Sequence, residues 1–443
     1  MSEVELIGTS NFIVLASRFE VNESGHFYWF TKSLQRELIR NGIPFKILSR
    51  IFPESTEEQF SEWRTLPTTK EWGKDTGTIS PIKLANLIDR EFSTEYILKS
   101  RTIIYTYETS FSLFAALVII LLRNPNFTAS ANMLDSGYWQ RFFNLELLSF
   151  APLRASIKFP LKFIGKRLLL FANMSSQAEI ISKQIDYPVD AFPHITALNP
   201  AEYSLKDSQL NTSSDALPKI LFFTWTEDLP FVCKILSHVG YRSPLLLSRI
   251  TIHTKSLSDK FFLDKFLVEK NIEGVNIVAG TLSESNYIEL INSNDVTLFP
   301  YTDAMHFLNG SGRVIDSLIL GKPVILSSES GSCVHAKKVN ACFTFHGVGP
   351  ASVLEAIEEF KASPFFSEKS SSLYQDKLKS AAAIEFSVGG LLKKVTFKSN
   401  ERMSKYVEVR PPHKLIYFFI ILEFQITWTL LNAFHKFSRF VKR

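Results

Sequence analysis

Short apolar runs alternate with helical patterns along most of the chain, and this alternation constrains the fold more than any other feature. In the first half, runs typical of buried strands, such as NFIVLAS (11–17) and PFKILS (44–49), flank a helical segment, FYWFTKSLQRELIRNG (27–42). Strands joined through single helices run parallel, because the helix carries the chain back to the start of the next strand. The pattern therefore predicts a doubly wound α/β sheet.

A polar segment (196–218), rich in Ser, Asn, Asp and Pro, interrupts the alternation, which resumes at KILFFTW (219–225). The 443 residues also exceed what one simple core holds. We therefore predict an α/β chain with two Rossmann-like domains facing each other across a cleft, plus a C-terminal helical apolar segment. The predicted ranges are 1–205 for the N-terminal domain, 206–218 for the linker, 219–380 for the C-terminal domain, 381–410 for a return helix packing toward the N-terminal domain, and 411–443 for a basic and apolar tail.

Charge and cysteine content exclude some classes of protein. The formal net charge of +5 is too small to predict a nucleic-acid partner. The three cysteines have no metal-binding spacing and are expected to be reduced thiols. The N-terminus lacks the basic and then apolar regions of a signal peptide. A reducing, cytoplasmic setting is expected.

The C-terminal stretch KLIYFFIILEFQITWTLLNAF (414–434) is long enough to span a membrane, but Glu423 lies in its middle. Three interpretations remain open: a helix in the plane of the membrane, a true span, or a helix packed on the first domain. The segment 154–167 places Lys158, Lys162 and Lys166 at helical spacing among aromatic residues. Together the two segments favour attachment to an anionic membrane surface.

The stretch NGSGRVIDSLILGKPVI (309–325) carries the strongest functional signal. Gly310 and Gly312 let the backbone approach a ligand closely, and a helix that starts near Ser311 directs free N–H groups at a diphosphate. Asp316 lies one turn further along, where a carboxylate can accept hydrogen bonds from ribose hydroxyls. A tight turn with a solvated Asp is the alternative.

This stretch resembles the second-domain signature of the GT-B glycosyltransferases, especially the large group-1 family of mostly retaining enzymes. The matching elements are Phe299-Pro300-Tyr301, Ser311-Gly312, Asp316 and Gly321-Lys322-Pro323-Val324-Ile325. The opening ESGHFYWFTKSLQRELIRNGIPFKIL (23–48) is also similar to the first loop and helix of that family.

The resemblance implies that the second domain binds a nucleotide-diphosphate-sugar donor and the first domain binds the acceptor. Asp316 would hold the ribose. The residues expected at the diphosphate are Asn309, Gly310, Ser311, Gly312 and Arg313. The resemblance implies neither a cofactor nor a metal, because the helix dipole and basic side chains stabilise the departing nucleotide.

Several positions depart from the family pattern. Leu308 occupies the place of an expected acid, and Lys234 alone stands where a basic pair is expected. Arg249, Lys255 or Arg313 could supply the missing charge. The candidate catalytic residues are His26 in the opening loop, Glu108 at the end of a first-domain strand, and Asp135 after the next strand.

The resemblance thus implies an enzyme that transfers a sugar from a nucleotide-diphosphate-sugar donor to a glycan or lipid-linked acceptor in polysaccharide or glycolipid biosynthesis. It would be metal-independent and peripheral at the inner face of the cell membrane. The resemblance also implies retention at the anomeric carbon, which is the tendency of the family. Two alternatives remain: a catalytically silent GT-B subunit that scaffolds a polysaccharide assembly complex, and a sugar-nucleotide epimerase of the same fold.

Overall fold

The computed structural model divides the chain into two compact units, Met1–Phe192 with Leu391–Arg443, and Pro193–Gly390. It describes residues 10–16, 26–49, 63–65, 79–92, 101–106, 111–124, 126–132, 151–192, 195–196, 198, 217–301, 311–367, 371–404 and 414–441. The chain enters the second unit N-terminal to the predicted linker 206–218, most of which lies outside the described residues.

The first unit is built on one parallel sheet, as the alternation predicts. Within the described residues its order is β3-β2-β1-β4-β5-β6-β7. The strands are β1 (Ser10–Ala16), β2 (Phe45–Ser49), β3 (Trp63–Thr65), β4 (Arg101–Thr106), β5 (Phe127–Asn132), β6 (Leu168–Ala172) and β7 (Val189–Ala191). The helices are α1 (His26–Arg40), α2 (Pro81–Phe92), α3 (Phe111–Arg123), α4 (Ala151–Ile164) and α5 (Ser175–Ile185).

The second unit repeats the architecture with the order β10-β9-β8-β11-β12-β13, again all parallel among the described strands. Its strands are β8 (Ile220–Phe223), β9 (Ile250–Thr254), β10 (Asn276–Ala279), β11 (Val296–Phe299), β12 (Val324–Ser327) and β13 (Cys342–Phe345). Its helices are α6 (Leu229–Arg242), α7 (Pro244–Leu247), α8 (Leu257–Glu269), α9 (Glu284–Asn292), α10 (Gly312–Ile319), α11 (Gly331–Lys338), α12 (Pro350–Lys361) and α13 (Ser371–Phe386). The predicted pair of doubly wound Rossmann-like sheets is confirmed.

Two further helices return the chain to the first unit. They are α14 (Val388–Ser404) and α15 (Lys414–Val441). In the first unit, Lys398 of α14 pairs with Asp190 at 2.6 Å, beside the end of the sheet at β7. The return helix predicted for 381–410 falls on the end of α13 and on α14.

Helix α3 is apolar on every side and is covered on every side. Each residue from Phe111 to Leu122 is buried, because α3 packs against α2, α4 and α15. A sheet with one layer of helices could not seal such a segment. The first unit therefore needs a further helix outside α3, and α15 supplies it.

The inner face of α15 is part of the same core. Ile420 and Phe424 are fully buried, and the Phe424 ring meets the Phe111 ring edge-on at 6.1 Å. Arg123 donates to the Tyr417 hydroxyl at 2.6 Å and pairs with Asp89 of α2 at 2.5 Å. Of the three interpretations of the tail, packing on the first unit is the arrangement observed. No helix among the described residues combines the length and apolar character that a membrane crossing requires.

Candidate functional site

The candidate donor site lies at the carboxyl edge of the sheet in the second unit. The residues that directly follow the parallel strands lie together at this edge. Trp225 follows β8, Lys255 follows β9, Gly280 follows β10 and Tyr301 follows β11. The N-terminus of α10 reaches the same edge, since α10 connects β11 to β12. These elements form a local group within the second unit.

The start of α10 is held by two neighbouring hydroxyl groups. The Ser311 backbone N–H donates to Ser332 Oγ at 2.8 Å, and Ser311 Oγ lies 3.1 Å from the Tyr301 hydroxyl. Ser311 makes no side-chain cap of its own helix. The following N–H groups of the first turn have no partner within the helix and carry its positive dipole end. The predicted helix start after Ser311 is therefore present.

Arg313 supplies the first of two cations at this site. Its guanidinium carbon lies 5.2 Å from the centre of the Phe223 ring and 4.8 Å from the centre of the Trp225 ring, so it stacks at the end of β8. Its Nη1 is buried and has no hydrogen-bond partner among the described residues. A buried guanidinium N–H without an acceptor is costly, which makes this position suited to an anion.

Lys255 adds a second cation to the same aromatic ring. Its Nζ lies 5.3 Å from the centre of the Trp225 ring. The Trp225 ring is thus in contact with both Lys255 and Arg313. In the family that the sequence resembles, a basic pair follows the first strand of the second domain. Among the candidates for the missing charge, Arg313 and Lys255 are brought together here by Trp225, a residue that the sequence argument missed.

The other two basic candidates lie elsewhere. Arg249 precedes β9 and is therefore at the amino edge of the sheet, where its Nε donates to the Leu217 carbonyl at 3.0 Å. Lys234 is exposed on the outer surface of α6, in a depression that it shares with His238 and Tyr241. Neither residue joins the group at the start of α10 within the second unit.

Asp316 lies one turn into α10, as predicted, but its carboxylate already has two partners. Thr196 Oγ1 donates to Oδ1 at 2.5 Å, and the Tyr287 hydroxyl donates to Oδ2 at 3.0 Å. Burial raises the pKa of Asp316 to about 6, against the lowering effects of these two hydrogen bonds and of Arg313. Each carboxylate oxygen retains a further lone pair, so a ribose contact from Asp316 stays a prediction.

His253 is a buried neutral side chain under the site. Burial, and then the charge of Arg313, lower the pKa of His253 to about 4. Its Nε2 lies 3.1 Å from the Gly280 carbonyl, which fixes that nitrogen as the N–H donor. Its Nδ1 has no hydrogen-bond partner among the described residues. His253 therefore orients the end of β10 without adding charge.

The second half of the signature has a structural role. Gly321 ends α10 with φ of +78°, and a Cβ there would lie 2.9 Å from the Lys379 side chain. Lys322 is buried and its Nζ donates to the Asn292 carbonyl at 3.1 Å. These residues form the turn between α10 and β12, where Gly321 lies close to α13 and Lys322 is bonded to the end of α9.

Several predicted site residues cannot be placed as side chains. Asn309, Gly310, Glu108 and Asp135 lie outside the described residues. His26 is the first residue of α1, the helix that follows β1. The sequence argument placed His26 in the loop before this helix, whereas the structure begins α1 at His26 itself, and its role stays a prediction.

Comparison with known proteins identifies the fold. No family model matches the sequence, and a search of curated proteins finds no match. Among solved structures, a glycosyltransferase from Rickettsia africae ESF-5 aligns with a TM-score of 0.59 and 11% identity, covering 90% of this chain and 99% of that one. Sucrose-phosphate synthase from Thermosynechococcus elongatus aligns with 0.57 and 14%, covering 89% and 98%.

A third match has a different chemistry. UDP-GlcNAc 2-epimerase from Neisseria meningitidis, bound to UDP-GlcNAc, aligns with a TM-score of 0.52 and 11% identity, covering 88% of this chain and 99% of that one. Matches at such low identity establish the fold, which is GT-B, as the resemblance predicted. Activity has to be argued from the site.

Proposed function

We propose that this chain is a glycosyltransferase that takes a sugar from a nucleotide-diphosphate-sugar donor. The observation that carries the proposal is Arg313, a partly exposed cation at the start of α10. Its Nη1 is buried and has no hydrogen-bond partner within the described part of the chain. A helix N-terminus and a guanidinium side by side are suited to a diphosphate. The GT-B fold of the chain supports this choice over other anionic ligands.

The proposed chemistry is electrostatic. When the bond between the anomeric carbon and the diphosphate breaks, negative charge grows on the phosphate oxygens. Arg313, Lys255 and the first N–H groups of α10 would stabilise that charge. An acceptor hydroxyl forms the new bond to the anomeric carbon, and its proton passes to a base. The candidate bases are His26, Glu108 and Asp135 of the first unit.

The acceptor and the outcome are part of the proposal. We favour a glycan or lipid-linked acceptor in polysaccharide or glycolipid biosynthesis, retention at the anomeric carbon, and no cofactor or metal. The basic segment of α4 and the apolar tail support work at the anionic inner face of the cell membrane.

Calorimetric titration of UDP, GDP and ADP into the full chain tests the donor site. One nucleotide should bind without added metal and in EDTA. Arg313→Gln should weaken it by about 2 kcal/mol, or roughly 30-fold, because a charge-assisted hydrogen bond is lost. Arg249→Gln, at the amino edge of the same sheet, is the matched control and should leave the affinity unchanged.

The same titration tests Asp316. If its carboxylate accepts ribose hydroxyls, Asp316→Asn should weaken the nucleotide, and the wild-type affinity should fall as the pH drops through about 6. Unchanged affinity would mean that the Asp316 carboxylate accepts hydrogen bonds from Thr196 and Tyr287 and none from a ribose.

Two outcomes would favour the alternatives. Absence of binding by any of the three nucleotides would favour a silent GT-B subunit of an assembly complex, a role consistent with Leu308 in the place of an expected acid. Conversion of a nucleotide sugar without any acceptor would favour the epimerase, a chemistry represented among the structural matches.

A further inference from the structure

The outer face of α15 is an apolar stripe on the surface of the first unit. It consists of Leu415, Phe418, Phe419, Leu422, Ile426 and Leu430, each between 42% and 59% exposed. Their spacing of three or four residues places them on one side of the helix, over a length of about 22 Å. Contiguous exposed apolar surface of this kind marks an interaction site.

The helix is fixed, so the stripe is a permanent feature of the surface. Ile420 and Phe424 hold the inner face in the core, and Tyr417 accepts a hydrogen bond from Arg123. Pulling α15 out to cross a bilayer would uncover α3. An occupant of the stripe must therefore come to the helix as it lies on the unit.

The helices on which α15 packs present positive charge around the stripe. On α2, α4, the turn after α4 and the start of α15, the exposed basic residues are Lys83, Arg90, Lys162, Lys166 and Lys414. Phe159 of α4 is also exposed among them.

Among the described side chains of α2, α4, the turn after α4 and α15, the acidic residues are fewer than the basic ones and consist of Asp89 and Glu423. Asp89 is paired with Arg123. Burial raises the pKa of Glu423, which weakens its tendency to carry charge. This layer of helices is therefore apolar in the middle and cationic around it.

We propose that this face docks on a bilayer with anionic headgroups, with α15 lying in the plane of the interface. The apolar stripe would enter the boundary between headgroups and acyl chains, and the lysines would contact the headgroups. A second copy of the chain fits less well, because an isologous contact would bring the two cationic rims together. The proposal specifies the surface for the membrane location proposed above and is independent of the donor.

Vesicle co-sedimentation of the full chain tests this assignment. The wild type should bind vesicles of phosphatidylcholine with phosphatidylglycerol, and bind phosphatidylcholine alone much more weakly. Leu422→Glu with Ile426→Glu should lower the affinity at least about 10-fold, because two carboxylates would enter the interface. Leu257→Glu with Phe261→Glu adds the same charge to exposed apolar positions of α8 in the second unit and should have no effect.

The charge component is tested separately. Lys162→Gln with Lys166→Gln should weaken binding to the anionic vesicles by about fivefold per lysine, and added salt should act in the same direction. Lys265→Gln with Lys270→Gln on the second unit is the control, and its affinity should equal that of the wild type.

Three results would overturn the proposal. They are no binding to anionic vesicles, equal loss in the α15 and α8 double variants, or a dimer that Leu422→Glu with Ile426→Glu dissociates in the absence of lipid. Nucleotide titration on the same variants separates this question from the donor site. Retained nucleotide binding without vesicle binding would reject the docking face and keep the transferase.

Discussion

Helices α3 and α15 of the first unit are both strongly apolar, yet they lie in different surroundings. Helix α3 carries no charged side chain before Arg123 and is sealed on all sides. Helix α15 buries Ile420 and Phe424 on α3 and leaves Phe418 and Leu422 outside. Apolar content decides whether a helix must be packed against other elements. The order of the helix layers decides which helix keeps an exposed face.

The largest expected effect separates the two helices directly. Phe114→Ala in α3 should cost about 3–5 kcal/mol, because a fully buried ring leaves a cavity. Phe418→Ala on the outer face of α15 is the matched control and should stay within about 0.5 kcal/mol. The measurement is the free energy of opening from hydrogen exchange of the α3 amides. Equal losses would mean that the outer face of α15 is also covered in solution.

The next prediction concerns the inner face of α15. Ile420→Ala should cost about 2–3 kcal/mol, since it removes buried methyl groups at the contact with α3. Limited proteolysis should then cut within α15 faster than in the wild type. Ile426→Ala, on the exposed side, should leave the cleavage rate unchanged. Identical rates for both variants would contradict the docking of this helix.

A smaller effect is expected for the hydrogen bond between Arg123 of α3 and Tyr417 of α15. Tyr417→Phe removes the hydroxyl that accepts from Arg123 and should cost about 1 kcal/mol. Arg123 keeps its contacts with Asp89 and Asn86, which limits the loss. Urea unfolding of the first unit measures the change, with the exposed Tyr241→Phe as control. A loss of stability as large as that of Ile420→Ala would mean that the remaining contacts of Arg123 do not limit the effect.

The smallest effect depends on pH. Burial raises the pKa of Glu423 above its unfolded value, so the folded state favours the protonated carboxyl. Stability from this group is present below the unfolded pKa and is lost as the pH rises through the folded pKa. Glu423→Gln should therefore unfold at higher urea than the wild type at neutral pH, and the gain should shrink in acid. Glu355→Gln, exposed on α12, should show no such gain.

The fold could be predicted because its signals are local. The alternation of apolar runs and helical spacing can be recognised within windows of a few residues, and it predicted both parallel sheets. The helix start at Ser311 was likewise predictable from a small-residue turn before an apolar helix. Arg249 could have been excluded from the donor site by the same logic, since it precedes its strand.

The rest of the candidate site depends on residues far apart in the chain. Thr196 meets Asp316 across 120 positions, and Tyr287 meets it across 29. Nothing local in the sequence marks Thr196, and Tyr287 has the ordinary spacing of a helical core residue. The stacking of Arg313 on Trp225 arises in the same way, because β8 and α10 meet only after the sheet forms.

The sequence by itself determined the two parallel α/β sheets, the position of α10 and the apolar character of α3 and α15, because each follows from the spacing of neighbouring side chains. Only the tertiary structure decided that Arg313 and Lys255 share Trp225, that Asp316 is bonded to Thr196 and Tyr287, and that α15 covers α3. These arrangements depend on which elements become neighbours when the apolar surface is buried, and that is a property of the whole chain.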